Sequence, residues 1–276
     1  MKTNPLAIFF NEQKPLARAL ANEVNAFLQE NGLETQFLTS LETLSEQKIN
    51  LLICLGGDGT MLRCARAAAP LGLPVFGINC GTLGFLASCE KDDFKKSLQQ
   101  VLQKECLSAE RFMLQVKVFA PQEAEQNFLA FNDCVLRAAN PRAFILNASF
   151  NGREIPSYFG DGVIVSTPTG STAYSLAAGG PIVEPGVDVQ VVTPICPHTL
   201  NQRPLILPAE GTLELIPEFK NEADLAVLSI DGQINLTLPK NARVHLTRSP
   251  IKAKLFCSPE RDFFSILNRK LKWGSR

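Results

Sequence analysis

Along the first third of the chain, apolar runs of strand length alternate with amphipathic stretches. Leu6–Phe10 is apolar and stops at Asn11; Lys14–Glu30 then carries apolar residues at helical spacing, with Pro15 just inside its start and Gly32 just past its end. That asymmetry marks a helix: Pro fits a first turn whose N–H groups have no intrahelical partner, and Gly fits the left-handed residue that stops it. Thr35–Leu38, Leu51–Leu55 and Pro74–Ile78 read as further strands, and Met61–Ala69 as a second helix. Strands this apolar belong where helices cover both faces of a sheet, so the pattern predicts a doubly wound α/β domain with a parallel sheet. From about Arg111 the period changes. Phe112, Leu114, Val116 and Val118 alternate with Arg111, Met113, Gln115 and Lys117, the period of two of a half-buried strand. Asn151-Gly152 and Asp231-Gly232 each stand between strand-like runs, and such dipeptides favour tight hairpins because both turn residues take positive φ. The second domain is therefore predicted to be mainly antiparallel β. After Pro259, Phe263, Phe264, Leu267 and Leu271 recur at helical spacing, which predicts a closing amphipathic helix.

A length of 276 residues suggests one or two domains at about 150 residues each; the change of pattern favours two, placed at 1–105 and 106–257. Lys and Arg total 27, equal to Asp plus Glu, and no basic run stands out, so the electrostatic footprint of a nucleic-acid binder is missing. Eight cysteines occur, the closest pair being Cys80 and Cys89. No C-x-x-C zinc site is available, and reduced, buried thiols in a cytosolic protein are expected. The early run Leu6–Phe10 is too short for a signal peptide. No stretch approaches the roughly 20 apolar residues that span a bilayer, so the expectation is a soluble, cytoplasmic protein without a membrane partner.

The chemistry begins at Gly56-Gly57-Asp58-Gly59-Thr60, where the strand Leu51–Leu55 turns into the next helix. Glycines let backbone approach a phosphate or ribose, and free N–H groups at a helix start attract anions. Asp58 is the unexpected member. An ionised carboxylate beside phosphates can take a proton from a sugar hydroxyl, which points to phosphoryl transfer to an alcohol. Asp-Gly is also a common turn, and Thr60 would serve as an ordinary N-cap. Two better-known nucleotide motifs are excluded: a G-x-G-x-x-G starting at Gly57 would need glycine where Leu62 stands, and no G-x-x-x-x-G-K-[ST] occurs.

A second constellation runs from Asp161 to Pro181, an apolar strand entering a hydroxyl-rich turn and leaving as a small-residue helix. Five Ser or Thr residues lie between Ser166 and Thr172, more than the single hydroxyl that capping requires. They offer hydrogen bonds to a polar ligand while Ala and Gly leave room for its rings.

Together these segments, with Gly77–Leu86, Asn132-Asp133, Thr193–His198 and Arg203-Pro204, resemble the NAD kinases, which phosphorylate the 2′-hydroxyl of the adenosine ribose of NAD. The likeness covers most of the chain. It implies an α/β domain followed by a β-rich one, with the tail 258–276 returning to the first, and assembly as homodimers or homotetramers. Asp58 matches the family's catalytic acid, the general base toward the 2′-hydroxyl as that oxygen attacks the γ-phosphate of ATP. Gly56, Gly57, Gly59 and Thr60 form the phosphate loop, and Arg63 follows it within reach of a phosphate. Mg²⁺ would be held largely by the ATP phosphates, with no dedicated protein cage. On the dinucleotide side the resemblance implies Asp58, Gly59 and Arg63 with Asn132 and Asp133, the latter where many members have Glu. Arg142, Asp161, Thr172, Ala173, Tyr174, Ser175, Leu176, Ala177 and Gln233 complete the set. His198 falls in a matched segment, with a structural hydrogen bond as its expected role.

Two other functions fit parts of this pattern. A lipid or sugar kinase can share the Gly-Gly-Asp-Gly loop, although the balanced charge gives a lipid kinase no basic membrane face. A non-catalytic NAD-binding regulator would not need Asp58. Polyphosphate could replace ATP as donor.

Overall fold

The computed structural model describes residues 5–81, 84–106, 108–140, 142–219, 224–257 and 262–272. Thr82 and Leu83 of the Gly77–Leu86 segment, and Pro259, lie outside them. The chain forms two compact units, Met1–Arg111 with Ile251–Arg276, and Phe112–Pro250.

In the first unit a seven-stranded sheet runs in the order Thr35–Leu38, Leu6–Phe10, Leu52–Gly56, Pro74–Asn79, Ala253–Phe256, Ser108–Arg111, with Cys89–Glu90 pairing beside Pro74–Asn79. Every pairing is parallel except that of Ala253–Phe256 with Ser108–Arg111. Leu6–Phe10 and Leu52–Gly56 are buried at every position, which is why they read as continuous apolar runs. Their odd and even residues face different helices. Leu6, Ile8, Phe10, Ile53 and Leu55 share a core with Ala17, Leu20, Val24 and Leu28 of the helix Pro15–Glu30 and with Phe94 and Leu98 of the helix Phe94–Leu102. The opposite face takes the helix Asp58–Ala68, whose Met61 lies where a side chain on Gly77 would stand.

Successive strands lie first to one side of Leu6–Phe10, at Thr35–Leu38, and then to the other, at Leu52–Gly56. That reversal creates a crevice at the carboxyl ends of Leu6–Phe10 and Leu52–Gly56, where open α/β sheets bind ligands. The closing helix, Phe263–Leu271, belongs to this unit, and Asp262 caps it by accepting from the N–H groups of Phe264 and Ser265. Its buried residues are Ile266 and Leu267; Phe264 and Leu271, expected on the apolar face, are exposed. The unit extends to Arg111, past the expected end at 105, because Ser108–Arg111 pairs with Ala253–Phe256.

The second unit holds two six-stranded antiparallel sheets. Their facing residues make one core, among them Leu114, Val116 and Val118 from one sheet and Leu136, Val163 and Leu228 from the other. The strand Leu114–Phe119 alternates buried and half-buried as its period of two predicts. Both hairpin dipeptides close antiparallel pairs: Asn151 and Gly152 have φ of 52° and 74°, and Asp231 and Gly232 of 53° and 64°.

Candidate active site

The strand Leu52–Gly56 delivers Gly57 as the N-cap of the helix Asp58–Ala68, so Asp58 rather than Thr60 opens the helix. Thr60 and Met61 donate their N–H groups back to the Gly57 carbonyl at 2.9 and 3.1 Å. Gly56 has no room for a side chain, since a Cβ would meet that of Thr60 at 2.6 Å, whereas nothing lies within 4 Å of a Cβ on Gly57 or Gly59. The loop is thus tight toward the protein and open on its outer side.

Asp58 turns back under the segment that follows the strand Pro74–Asn79. Its Oδ2 accepts the N–H of Phe85 at 3.1 Å and its Oδ1 that of Leu86 at 3.1 Å. Gly84 permits this: a Cβ there would lie 2.2 Å from Oδ1. Oδ1 retains a lone pair beyond the N–H bond it accepts, so the carboxylate is positioned while keeping a site for a proton. Neighbouring contacts hold the segment in turn. Asn79 donates to Glu90 at 2.8 Å and to the Gly81 carbonyl at 3.2 Å, and Ser88 Oγ links the Gly77 N–H to the Phe256 carbonyl.

A cavity of ≈ 390 Å³ opens over this loop, lined among others by Asn11, Lys14, Gly57, Asp58, Thr60 and Lys270. It lies at the crevice between Leu6–Phe10 and Leu52–Gly56, where the topology places it. Among the described residues its charged groups are the two ammoniums and Asp58. Cys80 also borders it, but burial and the neighbouring Cys54 push that thiol up to about 11, leaving it protonated at neutral pH and a poor nucleophile. Arg63 does not line the cavity. It is exposed, with its guanidinium 5.9 Å from the centre of the Phe9 ring.

In the second unit, Asn132 and Asp133 sit where a loop enters the strand Asp133–Ala138. The Asp231 carboxylate accepts the N–H groups of Phe131, Asn132 and Asp133 at 2.7–3.1 Å, and Asp231 donates its own N–H to the Asp133 carbonyl at 2.9 Å. From the other side Thr167 bonds the Asn132 carbonyl through its N–H and the Phe131 carbonyl through Oγ1. The Asn-Asp pair is therefore clamped between a hairpin and the start of the hydroxyl-rich turn. Burial, and then the Asp231 charge, push the Asp133 carboxyl up to about 7.

The block after the strand Gly162–Ser166 is a 3₁₀ turn, Thr169–Thr172, and a helix of only four residues, Tyr174–Ala177. The longer helix suggested by the small residues ends at Gly179, whose φ of +87° leaves the helical region. Most of its hydroxyls serve the fold: Ser171 Oγ donates to the Pro168 carbonyl and accepts from Val183, Thr172 Oγ1 donates to the Thr169 carbonyl, and Ser175 Oγ pairs with Thr193 at 2.8 Å, fully buried. Among the described residues Ser166 Oγ and Thr169 Oγ1 are buried with no partner. Tyr174 is 44 % exposed, so it is not a core residue. It borders a cavity of ≈ 330 Å³ with Asp161, Arg137, Asn140 and Ile195. Thr172, Ala173 and Leu176 are half-buried beside it in sequence, and Ala177 is exposed. Arg142 is exposed, outside that cavity, and Gln233 is half-buried beyond the Asp231 turn. His198 packs edge-on against Phe159 at 5.2 Å, a structural contact.

Lys14, Lys270, Gly84 and Asp231 carried no functional signal in the sequence beyond membership of a helix, a matched segment or a turn. Among the described residues no group of three or more His, Cys, Asp or Glu could hold a metal. One carboxylate with the oxygens of Asn11, Asn79 and Thr60 fits a hard cation carried by phosphates, not one caged by protein. No described helix is long and apolar enough to cross a membrane.

The geometry agrees with the kinship of the chain. The model of the ATP-NAD kinase N-terminal domain matches residues 13–106 and that of the ATP-NAD kinase C-terminal domain residues 132–257. An NAD kinase of Koribacter versatilis (strain Ellin345) is 35% identical over 289 aligned residues, covering 100% of both chains. The crystal structure of yeast NADH kinase complexed with NADH superimposes with a TM-score of 0.89 at 25% identity, covering 100% of this chain and 89% of that one. An NAD kinase from Archaeoglobus fulgidus in complex with ATP, 24% identical, shares the fold with a TM-score of 0.80 over 96% of this chain and 98% of its own. The chain belongs to the ATP-NAD kinase family, kinases that transfer a phosphoryl group to NAD.

Proposed function

We propose that the chain makes NADP from NAD and ATP, with Asp58 as the base. The observation that carries this reading is the Asp58 carboxylate, fixed by the N–H groups of Phe85 and Leu86 at the rim of an open, cationic phosphate loop. The 2′-oxygen of the adenosine ribose attacks the γ-phosphorus and its proton passes to Asp58. The bond from the γ-phosphorus to the bridging oxygen breaks, and ADP leaves with the electron pair. General-base assistance of this kind contributes about 10²–10⁴ in rate. Mg²⁺ borne by the ATP phosphates would offset charge on the transferring group. Gly57, Gly59 and Thr60 border the phosphates.

Asn132 and Asp133 take the adenosine and its hydroxyls, and their backbone is held for this by Asp231. Asp161 and Tyr174 border the nicotinamide side, with Thr172, Ala173, Leu176 and Ala177 contributing backbone and surface. Ser175 acts through the fold, because its hydroxyl is spent on Thr193. Arg63, Arg142 and Gln233 are outer contacts. The family likeness supports two further parts of this proposal, assembly as a homodimer or homotetramer and a cytoplasmic location.

Incubation with Mg-ATP and NAD, followed by chromatographic detection of NADP, tests the reading. NADP formation supports it. Phosphorylation of a lipid or sugar with no NADP from ATP, other triphosphates or polyphosphate would overturn it.

A further inference from the structure

The closing helix brings one cation onto the base. Lys270 Nζ lies 3.4 Å from Asp58 Oδ2 and 4.5 Å from the centre of the Phe85 ring, whose own N–H binds the same carboxylate oxygen. Both side chains are about one-third exposed and line the loop cavity. A lysine in this position works against a general base, since with the Phe85 N–H it fills both lone pairs of the oxygen that would take the proton. Lys270 is therefore poorly explained as a permanent partner of Asp58.

A triphosphate in this cavity changes the balance. It brings several negative charges into the cavity that Lys14 and Lys270 both line, against the single charge on Asp58, and a flexible ammonium follows the stronger field. The Phe85 ring face gives the ammonium a fixed pivot as it moves. From these contacts we infer that Lys270 is the phosphoryl-clamping cation of the reaction: it exchanges from Asp58 to an oxygen of the phosphoryl group being transferred. The exchange releases the base and offsets charge on the oxygens of the transferred phosphoryl group in one movement. In the transfer step the 2′-hydroxyl proton goes to Asp58, the new P–O bond forms, and the bond to the ADP oxygen breaks. Lys270 gives up no proton in the step and stabilises charge on the non-bridging oxygens. This assignment rests on the phosphoryl-transfer reading above.

The test uses the full chain and the variants Lys270→Ala and Lys270→Arg. Calorimetric titration with the non-hydrolysable donor β,γ-imido-ATP and Mg²⁺ is run beside initial-rate kinetics in which ATP and NAD are varied separately. Loss of one charge-assisted contact predicts that Lys270→Ala binds the analogue roughly tenfold more weakly and loses at least about tenfold in kcat, with KM for NAD unchanged. Lys270→Arg, which keeps the charge, recovers most of both. Analogue affinity and kcat within about twofold of wild type for Lys270→Ala would overturn the inference, as would an effect confined to KM for NAD. The binding arm does not depend on the acceptor. A wild-type protein that binds the analogue but makes no NADP refutes the NAD reading, while the analogue affinity of Lys270→Ala still decides the role of Lys270.

Discussion

The reactivity of this chain depends on how one carboxylate is held. Asp58 is anchored through both oxygens, by Phe85 and Leu86, and only the missing side chain of Gly84 leaves it room. Gly84→Ala should therefore cost activity far more than stability. The added methyl meets the mobile end of a side chain, so Asp58 swings aside and the fold survives, but a displacement of about 1 Å at a reacting group can cost on the order of 10²-fold in rate. Thermal unfolding together with kcat checks this, and a variant with normal kcat would remove the positioning role of residues 84–86. Asp161, exposed beside Tyr174, makes a different prediction. Replaced by Ala, it should raise KM for NAD by roughly 5- to 50-fold, the worth of a polar contact, with kcat little changed; equal losses in kcat and kcat/KM would place it in the transition state instead.

At the scale of elements, periodicity and turn chemistry made most of the architecture legible. Continuous apolar runs identified strands buried on both faces, and Asn151-Gly152 and Asp231-Gly232 identified hairpins because positive φ at both positions leaves those dipeptides a clear signal. The closing helix was legible as a helix but not by its buried side, since Phe264 faces solvent and Ile266 does not. The second role of Asp231 was invisible, because its carboxylate reaches N–H groups 98 to 100 residues away. That hub also sets a pH dependence. Burial and Asp231 push Asp133 up to about 7, so the native state keeps a proton that the unfolded chain, with a carboxyl near 3.9, releases. The stability this group contributes is full below about pH 4 and is lost as pH rises toward 7. Asp133→Asn, neutral throughout, should escape that loss: its thermal midpoint relative to wild type should rise between about pH 5 and pH 8. A constant difference would mean that Asp133 titrates normally.

For the whole molecule, the connectivity matters as much as the site. The first unit is completed only by the last residues of the chain: Ala253–Phe256 sits inside its sheet between Pro74–Asn79 and Ser108–Arg111, and the helix behind it supplies Lys270. No local pattern announces a contact 212 residues long in sequence; only the family likeness implied that the tail returns. Ending the chain after Pro250 should expose two strand edges and the core beneath them, giving aggregation and loss of cooperative unfolding, whereas ending it after Cys257 should leave the sheet folded. Circular dichroism and sedimentation distinguish the two, and a soluble, cooperatively folding chain ending at Pro250 would contradict this account of the first unit. The central claim, that Asp58 accepts the proton of the NAD ribose hydroxyl, is tested most directly by NADP formation at saturating ATP and NAD in wild type and Asp58→Asn. The amide can satisfy only one of the two N–H donors, so NAD affinity and thermal midpoint are measured alongside. The account predicts NADP from wild type and a kcat lower by about 10²–10⁴ in the variant with NAD still bound; near-normal turnover by Asp58→Asn would contradict it.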